Sequence, residues 1–240
     1  MSVREPSWRR SFFPEGHFNC VPPTVVQTRL RQLFSTRGRP KIIRVDNGSP
    51  WGSASDLPPE LALWLIGLGI EMLWNPPATP QDNGVVERGQ GVAKNWAEPH
   101  LCESVEHLQR RLNEEDHVQR EVYPSIDGKS RLAAYPQLKH SGRVYNRAWE
   151  RRHWDWQKIC DHLCGYVVQR RIDSSGKLGV YHHKLYVGTM HKGLTVNVQF
   201  DPLRSEWIVS DERGNQLHRT PATMLTPARV QRLQVSSPLH

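Results

Sequence analysis

Two short apolar runs, Lys41 to Asp46 (KIIRVD) and Ile70 to Trp74 (IEMLW), each stand directly behind a helical pattern. This alternation limits the fold more than any other feature of the chain. Pro22 and Pro23 open a segment from Thr24 to Phe34 in which Val25, Val26, Leu30 and Leu33 recur near helical spacing, and Gly38 and Pro40 close it. KIIRVD is rich in β-branched residues and stops at the turn pair Asn47-Gly48, as a short buried strand does. Pro58 and Pro59 suit the first turn of a helix from Glu60 to Leu68, Gly69 suits its C-terminal cap, and IEMLW reads as a second strand. Helix, strand, helix, strand predicts an α/β layer.

Beyond it, Asn75-Pro-Pro-Ala-Thr-Pro80 is too stiff for helix and runs through Gln81-Asp-Asn-Gly84 into a predicted helix containing Glu87. A polar helix follows from Ser104 to about Val122, and residues 123–148, broken by Pro124, Gly128, Pro136 and Gly142, read as a linker. Trp149 to Leu163 reads as one helix. From Gly165 the texture becomes β: Tyr166–Ile172, Leu178–His182, Lys184–Val187, Leu194–Phe200 and Trp207–Ser210, separated by glycine and aspartate turns. Such spacing predicts a small β-barrel, on which the helix before it would dock. The expected organisation is a core over 1–122, the linker, a helix plus barrel over 149–228, and a tail over 229–240.

The chain has 240 residues, with 37% hydrophobic and 23% charged, enough for one large domain or two small ones. It holds no run of eighteen apolar residues and no apolar leader, so the expectation is a soluble cytoplasmic protein without a membrane partner, nucleoid-associated when bound to DNA. Four scattered cysteines suit reduced thiols rather than a disulfide framework. The net charge of +8 divides into +6 over residues 1–41, −4 over 42–145 and +6 over 146–240. Basic arms around an acidic middle suit a polyanion held at both ends, though a basic domain also stays soluble this way.

Asp46 ends the first strand, where open α/β sheets place their ligands, so its carboxylate is a candidate for metal or phosphate chemistry. Asp-Asn-Gly is also an everyday turn. Glu87 lies one turn inside a helix opening at Gly84, a position that suits a surface carboxylate without any function. Paired, the two would offer hard oxygen ligands to Mg²⁺ or Mn²⁺ beside a phosphate.

Strand-Asp-Asn-Gly, a helix and strand, a proline-rich turn, then Pro80-Gln-Asp-Asn-Gly-Val-Val-Glu-Arg88 resembles the second half of the DDE integrase core of insertion-sequence transposases and retroviral integrases. Asp46 and Glu87, with forty residues between them, match that family's second and third acids. The likeness continues through Ala134-Tyr135-Pro136 into the β-rich end, over about residues 10–225. It implies an α/β plus all-β chain: an incomplete RNase H-like core, a linker and a small Src-homology-like β-barrel that binds DNA. It implies three carboxylates holding two Mg²⁺ or Mn²⁺ ions for phosphodiester cleavage and strand transfer. The implied partners are transposon ends and target duplex, with a second copy or a full-length transposase beside them. One departure matters: no aspartate precedes Asp46, Glu5 and Glu15 are the only earlier acids, and Trp8 to Phe13 reads as the core's third strand. The resemblance is therefore to a shortened member with weak or no catalysis, and the competing reading is an inactive DNA-binding remnant.

For DNA contacts the candidates are Arg88 at the end of the motif, Lys94 beyond it, and Arg170, Arg171, Lys177, Lys184 and Lys192, interleaved with Tyr166, Tyr181 and Tyr186. Strand alternation that sends rings to the core and charges to water explains the same pattern. Cys160-x-His162-x-Cys164 lacks a second ligand pair for zinc and predicts ordinary helix packing, and His182, His183 and His191 read as turn residues.

Overall fold

The structure is a computed structural model that describes residues 21–52, 56–76, 91–92 and 95–239. The predicted strand at Trp8 to Phe13, the Pro80–Arg88 string and Lys94 lie outside these residues. Helices and sheets are mixed. The described residues form two compact units, one holding 21–52, 56–76 and 143–239, the other 91–92 and 95–142.

In the larger unit, α1 (Pro23–Arg37) starts with proline at its first position, where the missing N–H costs nothing. It ends at Gly38, whose φ of 74° lets its N–H reach the Phe34 carbonyl at 2.9 Å. The strands β1 (Ile42–Val45) and β2 (Glu71–Trp74) pair in parallel, Ile42 opposite Glu71 and Val45 opposite Trp74. Between them α2 (Glu60–Gly67) is buried at every position from Leu61 to Gly67, as expected of a helix apolar all round. Full burial of Leu61, Leu63 and Leu65 contributes about 1.5–3 kcal/mol each before entropy is counted.

Burial on every side needs several partners, and α2 packs against β2 and two C-terminal helices. These are α6 (Trp156–Leu163) and α7 (Pro227–Gln231). One apolar cluster consequently runs from Phe34 and Val45 through α2 to Val196, Trp207 and Val235. Polar ties follow the same route: Tyr181 donates to the Pro58 carbonyl at 2.8 Å, and the Val235 N–H donates to Glu60 at 2.6 Å.

The single helix predicted from Trp149 to Leu163 is instead two, α5 (Arg147–His153) and α6. Asp155 breaks the run by capping α6, accepting from the Gln157 N–H at 2.9 Å. Trp154 turns inward there, donating from Nε1 to the Trp64 carbonyl at 3.1 Å. Its indole lies so close to Gly67 that a Cβ on that residue would stand 2.4 Å away.

The five predicted strands form, within a residue or two, as β3 (Val167–Arg171), β4 (Lys177–Val180), β5 (His183–Tyr186), β6 (Thr195–Asp201) and β7 (Glu206–Ser210). A sixth, β8 (Gln216–Pro221), was not foreseen. The expected barrel does not close. β3-β6-β7-β8 form an open antiparallel sheet, and β4-β5 a separate hairpin. β8 lies at the sheet's edge, where half-burial of successive residues leaves no apolar alternation to read and a terminal Pro221 is tolerated.

In the smaller unit α3 (Val105–His117) is capped by Ser104, which accepts from the His107 N–H at 3.1 Å. A π-helical turn, Val118–Val122, ends it. Within the predicted linker, Ser130 caps the short helix α4 (Arg131–Ala134). Among the described residues no helix is long and apolar enough to cross a membrane.

Candidate functional site

The parallel pairing of β1 and β2 brings two polar residues to the strands' carboxyl ends, Asp46 after β1 and Asn75 after β2. Asp46 is exposed, and its Oδ1 accepts from the Gly48 N–H at 3.1 Å. Asn75 is 4% exposed and fixes the neighbourhood. Its N–H donates to the Val45 carbonyl at 2.9 Å, its Oδ1 accepts from Arg44 at 2.7 Å, and its carbonyl accepts from Asn47 Nδ2 at 2.9 Å. A rigid frame thus presents one outward carboxylate with oxygen lone pairs to spare, the kind of group that takes a hard cation or orients water. Glu87, the proposed second ligand, lies outside the described residues, as do Arg88 and Lys94. Among the described residues no group of three or more His, Cys, Asp or Glu side chains could hold a metal ion.

The basic candidates of the C-terminal β region separate into used and open charges. Arg170 is committed: it pairs with Asp56 at 2.6 Å and donates to the Gly179 and Gln169 carbonyls at 3.0 and 2.9 Å. Lys184 meets Asp173 at 3.3 Å. Hydrogen bonds from the Ser175 hydroxyl and the Lys177 N–H, with Lys184 beside them, pull the Asp173 carboxyl down to about 2. Arg171 and Lys192 line one cleft of about 470 Å³. The hairpin register puts Lys177 opposite Tyr186 and Lys184 opposite Gly179, so Lys177, Lys184 and the exposed Tyr186 share one face. Tyr166 and Tyr181 pack against the core instead, as strand alternation predicts.

Cys160 is buried in the core, and burial pushes its thiol up. His162 meets the Tyr166 hydroxyl at 3.2 Å, and burial pushes its imidazole down.

Two features of the larger unit escaped the sequence reading. Glu150 is 3% exposed and fully engaged. Its carboxylate accepts from Arg31 at 2.8 and 3.2 Å, from Arg147 at 2.8 Å, from Trp64 Nε1 at 3.1 Å and from the Tyr145 hydroxyl. Burial pushes this carboxyl up, but the hydrogen bonds from Arg31, Tyr145 and Trp64 outweigh it and hold it below the usual range. The second is a basic and aromatic cleft of about 830 Å³, lined by Arg39, Gly69, Arg143, Trp149 and the α5–α6 junction. The tryptophans among the arginines of residues 147–158 were a signal for it.

No family model matches the chain.

Proposed function

We propose that the chain is a DNA-binding protein of the transposase and integrase type whose two-metal centre is incomplete within these residues. The observation that carries this reading is Asp46, an exposed carboxylate at the carboxyl end of a parallel strand pair, followed in sequence by the Asn83-Gly84-Val85-Val86-Glu87-Arg88 string. Two-metal phosphoryl transfer needs enough carboxylate charge to hold two cations about 4 Å apart. Asp46 and Glu87 alone supply too little, and Asp46 and Glu87 keep only a weak affinity for Mg²⁺ or Mn²⁺. What remains is binding, with Arg171, Lys177, Lys184 and Lys192 tracking phosphates. The binding reading places the chain on transposon ends or beside a complete relative as its partner.

A fluorescent duplex titrated with the full chain at rising salt tests the reading. Four phosphate contacts give a slope near −3.6 in log K against log salt, so affinity falls by about 150-fold between about 50 and 200 mM salt. Absence of binding at low salt, or binding indifferent to salt, overturns it. Added Mg²⁺ or Mn²⁺ produces no cut strands. Cleavage that Asp46→Ala abolishes would show that another residue completes the centre.

A further inference from the structure

The cleft of about 830 Å³ lies at the amino ends of the two parallel strands, the opposite end from Asp46. Arg39 precedes β1 and Gly69 precedes β2, and β1 alone spans about 13 Å at about 3.3 Å per residue. The cleft is therefore separate from the Asp46 end. Its volume falls within the range of ligand sites, about 300–1,000 Å³.

Its chemistry is lopsided. Among the described lining residues Arg39, Arg143, Arg152 and Lys158 are permanent cations, against one carboxylate, Asp155, which Lys158 meets at 2.9 Å. Arg39 and Arg143 are fixed by main-chain carbonyls: Arg39 donates to Leu68, and Arg143 donates to Pro40 and, at 2.8 Å, to Gly69. Holding two guanidiniums together is unfavourable, and burial followed by the charge of Arg143 pulls Arg39 below its ordinary value. Arg152 is exposed on the last turn of α5, with no hydrogen-bond or ion-pair partner among the described residues.

Flat rings line the same walls. The Arg39 guanidinium sits 3.8 Å over the Trp149 ring, and His153 stacks on Trp149 at 4.8 Å with 9° between planes. Trp154 and Trp156 lie 6.4 Å apart at 30°. Cations beside stacking rings are what a single nucleic-acid strand requires, because its phosphates need charge and its unstacked bases need π-faces. A duplex has already stacked its bases and cannot offer them to indoles.

We propose that this cleft seats a segment of single-stranded DNA, with phosphates on Arg39, Arg143, Arg152 and Lys158 and bases against Trp156. The assignment rests on the DNA-binding reading above and adds to it a second surface that takes unpaired rather than duplex DNA.

The test uses the full chain and fluorescein-labelled oligothymidine of about 12 nucleotides, beside a labelled duplex. Arg152→Glu reverses an exposed, unpartnered charge and is checked for an unchanged thermal midpoint. It weakens oligothymidine binding on the order of tenfold and lowers the salt slope by at least about 0.7, the share of one single-strand phosphate. Duplex affinity stays within about twofold, since none of Arg171, Lys177, Lys184 and Lys192 lines this cleft. Arg152→Gln gives the same direction with a smaller loss if the reversed charge perturbs folding. Duplex binding with oligothymidine binding absent, or unchanged by both variants, overturns the cleft and leaves the DNA-binding reading standing. Loss of both ligands in the unmodified chain at low salt overturns both. Tighter binding of oligouridine than oligothymidine overturns the assignment to DNA.

Discussion

Replacing Glu150 by Gln removes one negative charge from the most heavily hydrogen-bonded side chain described, with almost no change of shape. Arg31, 20% exposed at its side chain, loses the carboxylate it grips through two nitrogens, while Arg147, 53% exposed, turns to water. The amide oxygen still accepts from one or two donors, but its NH₂ now faces the donors Tyr145, Trp64 or Arg31. Breaking a buried ion pair from one side costs about 3–5 kcal/mol, and the half-open Arg147 takes the expectation toward the lower end, about 3 kcal/mol. For a unit of roughly 150 residues this lowers the thermal midpoint by about 6–12 °C. Urea unfolding followed by tryptophan fluorescence reads the same loss, because Trp64 and Trp149 sit at the network. The sign with pH is fixed as well. A carboxyl held below its ordinary 4.5 adds stability above that value and loses it as pH falls further, so the two proteins converge in acid. A difference under about 0.5 kcal/mol at neutral pH, the range of ordinary surface substitutions, would refute the reasoning.

Two further outcomes follow from the same unit. Gly67→Ala drives a Cβ into the Trp154 ring, which its bond to the Trp64 carbonyl pins in place, and costs about 1–3 kcal/mol in urea unfolding. A change below about 0.3 kcal/mol would show that the indole moves freely. Burial holds His162 below its ordinary 6.5, so folding excludes a proton that the unfolded chain accepts, and stability falls as pH drops through that value. His162→Phe flattens this part of the pH profile, and an unaltered profile assigns it elsewhere.

The parts of the fold legible in the sequence were those set by neighbours along the chain. KIIRVD and IEMLW became β1 and β2 because β-branched residues, a turn pair and flanking helix signals agreed. Asp46 was placed at a strand end by the same local signals. Tertiary contacts overruled the rest. Helical periodicity continues through Trp154 and Asp155, but a cap and an indole seated on Gly67 break the helix there. Glu150 read as an ordinary helix charge until Arg31 and Trp64, more than eighty positions away, closed over it. The basic cleft was hidden for the same reason, since Arg39 and Arg143 meet only after folding, across main-chain bonds.

The enclosure of α2 has a consequence for how the chain is made. Seven successive buried residues, Leu61 to Gly67, leave the ribosome long before α7 at Pro227–Gln231, which completes their covering. At about 5–20 residues per second, that delay is roughly 10–30 s. Throughout it an all-apolar segment stands without its final partner. A nascent chain stalled before Pro227 therefore holds the helix around Trp64 without part of the surface that buries it in the finished fold.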